Sequence, residues 1–173
     1  MHLLQLLIEE VDTSPRTRIL RRRTARRSDR MFRMSARAKN IPEGFHSITP
    51  YLMVKDTRTF IKFCQTVFSA VEVMCDVGED GHVRHAQIRI GDSHMMISDE
   101  TTTFTAMRGV ESMGGSPVSF FVYVDDADQV MATALTAGAT LTYPLGDQPY
   151  GRSGSFTDPF GCLWHVTTHS ESK

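Results

Sequence analysis

The stretch Tyr51-Leu52-Met53-Val54-Lys55-Asp56 recurs as Phe121-Val122-Tyr123-Val124-Asp125-Asp126, 70 positions further along the chain. Each copy is a largely apolar run that ends in an acidic residue. At this offset of 70, residues 49–97 align with residues 119–167 without gaps. An ungapped match of this length indicates a duplicated unit.

The first copy predicts one strand, one helix and three further strands. Ile48–Val54 is rich in apolar and β-branched residues, which is typical of a strand. Asp56 stands where a helix N-cap belongs, and the apolar residues that follow recur with the spacing of one helix face. These residues are Phe60, Ile61, Cys64, Val67 and Phe68. Three short strands are expected next, at about Val71–Val77, Val83–Ile90 and Ser93–Ser98.

The second copy repeats this order. The pattern predicts a strand at Val118–Val124, a helix at Asp126–Ala137, and strands near Thr140–Pro144, Gly154–Thr157 and Cys162–Thr168. Residues 99–117, rich in Thr and then in Gly, are expected to be a linker. The predicted fold is therefore α+β, with β-α-β-β-β modules at 45–98 and 118–169 forming one domain over residues 41–173.

Charge divides the chain near Asn40. Residues 1–40 hold 11 basic and 4 acidic residues, a net charge of +7, whereas residues 41–173 hold 8 and 16, a net charge of −8. We expect residues 1–40 to be a basic, disordered extension. It could bind nucleic acid or acidic lipid, serve as an organelle transit peptide, or lie outside the natural protein, with Met31 or Met34 as the true start.

Composition excludes several classes of protein. The 173 residues are 40% hydrophobic and 23% charged, and no run approaches the roughly 20 apolar residues that span a membrane. The three cysteines, Cys64, Cys75 and Cys162, are too few for a disulfide scaffold, which favours the cytoplasm. Motifs for nucleotide cofactors, phosphate loops, serine hydrolases and zincins are absent. The acidic net charge after residue 40 argues against nucleic-acid binding by the domain itself.

Strand alternation selects candidate cavity residues. Because successive side chains point to opposite faces of a sheet, one set should lie away from the helices. This set contains Thr49, Tyr51, His85, Gln87, Ser119, Phe121 and His165. If both sheets curl around a shared space, these side chains would line a small-molecule site. Tyr150 and Arg152 lie in a predicted loop, Asp147–Arg152, that could close over the site, with Arg152 pairing with an anionic ligand or simply exposed.

Four stretches resemble the vicinal oxygen chelate superfamily, the glyoxalase/bleomycin resistance/extradiol dioxygenase group. They are Pro50–Asp56, Ile61–Phe63, His85–Ser93 and Thr157–Gly161, and the PhnB-like branch is the most similar. The resemblance covers about residues 41–169. It implies paired βαβββ modules that form a cupped sheet, a homodimer, and a chain that typically starts near Met34.

The resemblance also implies four metal-ligand positions, which fall on Thr49, Met95, Ser119 and His165. Of these, His165 alone is a good ligand for a divalent ion, because Met is soft and neutral hydroxyls bind weakly. We therefore expect no usual metal site and no other cofactor, with an ion held through His85 or Gln87 as the less favoured alternative. Gln87 stands where the branch often has Glu, so work as a general base is not expected there.

Three functions remain open at this point. The first is a small-molecule enzyme of the glyoxalase or dioxygenase type. The second is a protein that binds and sequesters an aromatic or antibiotic-like compound without chemistry. The loss of metal ligands favours this second function or an enzyme that works without a metal. The third is an interaction module without a small ligand.

Overall fold

The computed structural model describes residues 40–101 and 108–170, and the chain from Ile41 onward forms one compact unit. The first module consists of β1 (Tyr51–Val54), α1 (Thr57–Phe68), β2 (Val71–Val77), β3 (Val83–Ile90) and β4 (Ser93–Asp99). A short helix, α2 (Val110–Met113), lies in the predicted linker. The second module consists of β5 (Ser119–Tyr123), α3 (Ala127–Thr136), β6 (Thr140–Gln148), β7 (Gly151–Thr157) and β8 (Leu163–His169).

The strands form two four-stranded sheets, ordered β1-β4-β3-β2 and β5-β8-β7-β6. Within each sheet the first and last strands of the module pair in parallel, and the other neighbours are antiparallel. The α+β prediction of two repeated modules is confirmed. Strands β1 and β5 lie at the edges of separate sheets and do not pair with each other.

Each main helix begins at the aspartate that the repeat predicts. The Asp56 carboxylate accepts a hydrogen bond from the backbone N–H of Thr59 at 3.0 Å, and Asp126 accepts one from Gln129 at 2.9 Å. Both caps satisfy an N–H group that has no partner within the helix. The two modules therefore share the same capping hydrogen bond at the start of their main helices.

Helix α1 lies between the two sheets. Its Phe63 ring is 6.3 Å from that of Phe156 on β7, and its Phe68 ring is 4.8 Å from that of Trp164 on β8. The same helix packs on β1, β3 and β4 of the first sheet. One hydrophobic core therefore joins the inner faces of both sheets. The opposite faces, called here the first and second outer faces, turn away from this core.

The strand register corrects the ungapped alignment. Tyr51 pairs with Met96, whereas Phe121, its counterpart in the second module, pairs with His165. The offset is thus 69 at the last strand rather than 70, because connections and bulges differ by single residues between the modules. Met96, and not Met95, is therefore the counterpart of His165. Met95 is 6% exposed and faces the core, so its assignment to the metal-ligand set was wrong.

The predicted loop at Asp147–Arg152 is a tight β-hairpin instead. Strand β6 runs to Gln148 and β7 begins at Gly151, three residues before the predicted Gly154. Gly151 has φ +137°, and a Cβ there would lie 2.1 Å from the Thr168 carbonyl oxygen. A glycine is required at this point because β7 approaches β8 so closely. Glycine is typical of loops, so the sequence pattern placed Gly151 in a loop although it lies in strand β7.

Candidate functional site

The second outer face is built around His165. Its Nδ1 lies 2.6 Å from the Ser155 hydroxyl oxygen and its Nε2 lies 3.2 Å from the Ser119 hydroxyl oxygen. Strands β7, β8 and β5 supply these three residues. Ser155 pairs with His165 in register, whereas Ser119 pairs with Leu163 and contacts His165 diagonally across the strands. Both ring nitrogens are thus engaged with neutral hydroxyl groups.

Aromatic rings extend this face along β5. The Phe121 ring stacks near His165 at 5.9 Å, and the Tyr123 ring lies 5.2 Å from that of Phe121. His169 continues the series, 6.2 Å from Tyr123. Phe121 is 48% exposed. The exposed Phe121 ring offers an apolar face on which a planar molecule could stack, and the Tyr123 ring beside it is tilted by 55°.

The first outer face carries a second histidine. The Nε2 atom of His85 lies 3.1 Å from the Gln87 amide nitrogen, and its Nδ1 lies 3.4 Å from the Tyr51 hydroxyl oxygen. The Tyr51 and His85 rings meet edge to face at 5.6 Å. Two thioethers flank Gln87 in the same row, those of Met74 and Met96. The structure thus brings Tyr51, His85 and Gln87 together, as strand alternation predicts.

In the part of the chain that the structure describes, the two outer faces do not enclose a shared space. The cavity that strand alternation suggested would need both sheets to curl toward each other, but α1 packs between them. Thr49 precedes β1, and its hydroxyl donates to the His46 carbonyl at 3.4 Å. Thr49, Tyr51, His85 and Gln87 therefore lie with the first sheet, whereas Ser119, Phe121 and His165 lie with the second.

Arg152 is engaged by two carboxylates on the surface. Its guanidinium pairs with Asp128 of α3, at 2.7 Å for one contact and shorter for the other, and with Asp147 across the hairpin at 3.2 Å. These hydrogen bonds raise the pKa of Arg152 and lower that of Asp128. The carbonyl oxygen of the neighbouring Tyr150 accepts hydrogen bonds from His169 Nδ1 at 2.9 Å and from the Ser170 N–H. The hairpin is thereby tied to α3 and β8.

A groove of about 420 Å³ lies beside β5, and the sequence analysis did not anticipate it. It runs between β5 and the β3–β4 turn, with His46, Asp92, His94 and Tyr123 as its titratable lining residues. His94 Nδ1 donates to the Gly44 carbonyl at 2.7 Å, and its ring stacks on Phe45 at 4.3 Å. The roles of His94 and Ser155 depend on contacts between distant segments, for which the sequence holds no local signal.

The family's metal site does not fit these residues. With the corrected register its four positions hold Thr49, Met96, Ser119 and His165, of which one is a strong ligand for a hard divalent ion. Both nitrogens of His165 already bond to hydroxyl groups. Among residues 40–101 and 108–170, no group of three His, Cys, Asp or Glu side chains could hold a metal ion.

Residues 44–166 match the Glyoxalase/Bleomycin resistance protein/Dioxygenase superfamily. The chain belongs to this superfamily. An uncharacterised protein of Mycobacterium bovis is 36% identical over 123 residues, which cover 69% of this chain and 81% of that protein. Superfamily membership agrees with the repeated modules and with the resemblance found in the sequence.

Solved structures share the fold. TioX from Micromonospora matches with a TM-score of 0.55 at 25% identity, covering 74% of this chain and 99% of TioX. The fosfomycin resistance protein FosX from Mesorhizobium loti matches with a TM-score of 0.53 at 20% identity, covering 72% and 92%. In the described ranges, no helix has the length and apolar character needed to cross a membrane.

Proposed function

We propose that this chain binds a small organic molecule on its outer faces without the divalent metal of its superfamily. The observation that carries the proposal is the second outer face, where exposed Phe121 stacks beside a hydrogen-bonded His165. Aromatic surface with a few convergent polar groups is typical of ligand sites. The PhnB-like motifs, such as Pro50–Asp56, support a place in that branch of the superfamily.

A second copy of the chain would complete the site. Within residues 40–101 and 108–170, edge strands β1 and β5 have no neighbour on one side, and apolar side chains beside them are exposed: Ile48 by 86% and Val118 by 61%. Unpaired edges of this kind invite pairing with another strand. If β5 of one copy lies beside β1 of the other, the second outer face of one chain continues the first outer face of its partner. Two such composite sites would form in a symmetric dimer.

A thermal unfolding screen against small organic compounds tests ligand binding. A ligand at 100 times its Kd should add about 2.7 kcal/mol to the free energy of unfolding. Phe121→Ala should abolish this stabilisation because it removes the stacking surface, whereas Leu135→Ala on the exposed side of α3 should preserve it. The proposal fails if no compound stabilises the protein, which would favour an interaction module instead. It also fails if Phe121→Ala leaves the stabilisation intact.

Metal analysis separates this function from a metal-dependent lyase or dioxygenase. Protein purified without chelator should carry far less than one equivalent of manganese, iron, nickel or zinc, because three of the four ligand positions hold Thr, Met and Ser. A full equivalent of metal that is lost in His165→Ala would replace the proposal with the metal-dependent enzyme. Tyr123→Ala, which leaves the ligand positions unchanged, is the matched control.

A further inference from the structure

Ser155 determines which nitrogen of His165 carries the proton. The Ser155 side chain is 4% exposed, and His165 Nδ1 is the hydrogen-bond partner that the structure gives to its hydroxyl. If the hydroxyl accepted from Nδ1, its own hydrogen would be buried without an acceptor, at a cost comparable to a lost hydrogen bond. The hydroxyl therefore donates to Nδ1. A neutral imidazole then carries its hydrogen on Nε2.

This proton position orients the rest of the chain of hydrogen bonds. His165 Nε2–H donates to the Ser119 hydroxyl oxygen at 3.2 Å. Ser119 is exposed and lies on edge strand β5, so its hydroxyl hydrogen can be donated to a ligand outside the sheet. The chain Ser155→His165→Ser119 thus runs from a buried strand to the open edge of the sheet and ends in a donor.

The first outer face repeats this direction with different residues. The Gln87 amide nitrogen can only donate, so His85 Nε2 accepts and Nδ1 carries the hydrogen. Nδ1–H then donates to the Tyr51 hydroxyl oxygen at 3.4 Å, a longer contact than those around His165. Tyr51 lies on edge strand β1, and its hydroxyl hydrogen is left for a ligand. The two histidines have opposite tautomers, yet each chain of hydrogen bonds ends in a hydroxyl donor on an edge strand.

We propose that these two chains make the site selective for neutral planar molecules that carry hydrogen-bond acceptor oxygens, such as carbonyl or ring ether groups. The Ser119 and Tyr51 hydroxyls take the place of a metal ion as the electron-poor partners of those oxygens. The adjoining rings of Phe121 and Tyr123 supply stacking. Arg89, on the same face of β3 as His85 and Gln87, donates to the Gly91 carbonyl at 2.6 Å. Both chains end in uncharged hydroxyl groups, which favours a neutral ligand over an anion. This inference rests on the proposed function.

Imidazole ¹⁵N NMR of the free protein at neutral pH tests the proton positions. The expected result is His165 protonated on Nε2 and His85 protonated on Nδ1. Gln87→Glu replaces the donor with a carboxylate, so His85 should lose its Nδ1–H tautomer and gain Nε2–H, either alone or as the cation. Ser153→Ala, which removes a hydroxyl that bonds to Thr167 instead, should change neither histidine. Wild-type His165 protonated on Nδ1 overturns the inference, whatever the protein binds.

Coumarin and naphthalene form a matched pair of probes, since both are planar bicyclic molecules and coumarin alone has acceptor oxygens. Coumarin should bind about tenfold more tightly, the effect expected of one or two net hydrogen bonds. Ser155→Ala and Gln87→Glu should each reduce this preference to about threefold or less, whereas Ser153→Ala should keep it. Equal affinities in the wild type overturn the ligand class but leave small-molecule binding in place. If neither probe binds while the tautomers are as expected, the proposed function is what fails.

Discussion

Asp158 lies in the turn between β7 and β8, where its carboxylate accepts three hydrogen bonds. The donors are the backbone N–H groups of Phe160 and Cys162, at 2.9 and 2.8 Å, and the indole N–H of Trp164, at 2.8 Å. Burial raises the pKa of Asp158, while these donors oppose the rise. The aspartate of the Asp158–Gly161 motif therefore has a structural role, and it holds Trp164 under the second outer face.

Replacing Asp158 should destabilise the fold. Asp158→Ala leaves three buried donors without an acceptor and should lower the free energy of unfolding by about 3 kcal/mol or more, measured by urea denaturation. Asp158→Asn keeps one acceptor oxygen and should lose less. Equal losses in the two variants would contradict this role of the carboxylate.

The N-cap of α1 should make stability depend on acid pH. Hydrogen bonds from the Thr59 side chain and backbone lower the pKa of Asp56 below its ordinary value of 3.8. Its contribution is therefore fully present above pH 3.8 and is lost as pH falls through the lower folded-state pKa. Asp56→Ala should cost about 1 kcal/mol at neutral pH, by urea unfolding. The exposed turn variant Glu79→Ala should cost nothing comparable, and a larger loss there would argue against a capping effect.

At the level of secondary-structure elements, the β6–β7 hairpin depends on Gly151. Gly151→Ala forces a methyl group against the Thr168 carbonyl oxygen and places a side chain at φ +137°. We expect a loss of more than about 2 kcal/mol, or failure of the hairpin to form, measured by urea unfolding and circular dichroism.

Gly81→Ala is the matched control for this hairpin. Gly81 also has positive φ, but a Cβ there meets no atom within 4 Å. That variant should lose about 1 kcal/mol from backbone strain alone. If both variants lose the same amount, close packing of β7 on β8 is not the reason for Gly151.

The ion pairs of Arg152 should matter little for stability and not at all for the ligand. Arg152→Ala breaks exposed contacts between the hairpin and α3, which solvent and salt already weaken. Unfolding at high salt should then be the same for variant and wild type. Coumarin affinity should also be unchanged. A large drop in affinity would instead restore Arg152 as a residue that contacts the ligand.

At the scale of the whole molecule, the open edges predict self-association. The wild-type protein should sediment as a dimer at micromolar concentration in analytical ultracentrifugation. Val118→Arg places a charge immediately before edge strand β5 and should give monomers with a weaker Kd for coumarin. Met113→Arg, on the exposed surface of α2, should remain dimeric. A monomeric wild-type protein that binds coumarin with full affinity would show that a second copy is unnecessary.

Local patterns in the sequence were sufficient for the order of elements. The helix caps Asp56 and Asp126, the apolar face of α1 and the alternation His85–Ala86–Gln87 act within a few residues, so a single sequence reveals them. The start of β1 was placed too early, at Ile48 instead of Tyr51. Ile48 is apolar yet 86% exposed. Apolar character alone cannot distinguish such an exposed residue from one in a buried strand.

By itself, the sequence determined the duplicated β-α-β-β-β modules and the residues that begin their helices, since each follows from residue type and short-range periodicity. The tertiary structure alone decided that Met96 rather than Met95 is the counterpart of His165. It also decided that Ser155 orients that histidine and that the two outer faces point apart. The physical reason is that a slip of one residue moves a side chain to the other face of a sheet. The strand register depends on the connections, the bulges and the packing of α1 against both sheets. These features depend on contacts between residues far apart in the chain.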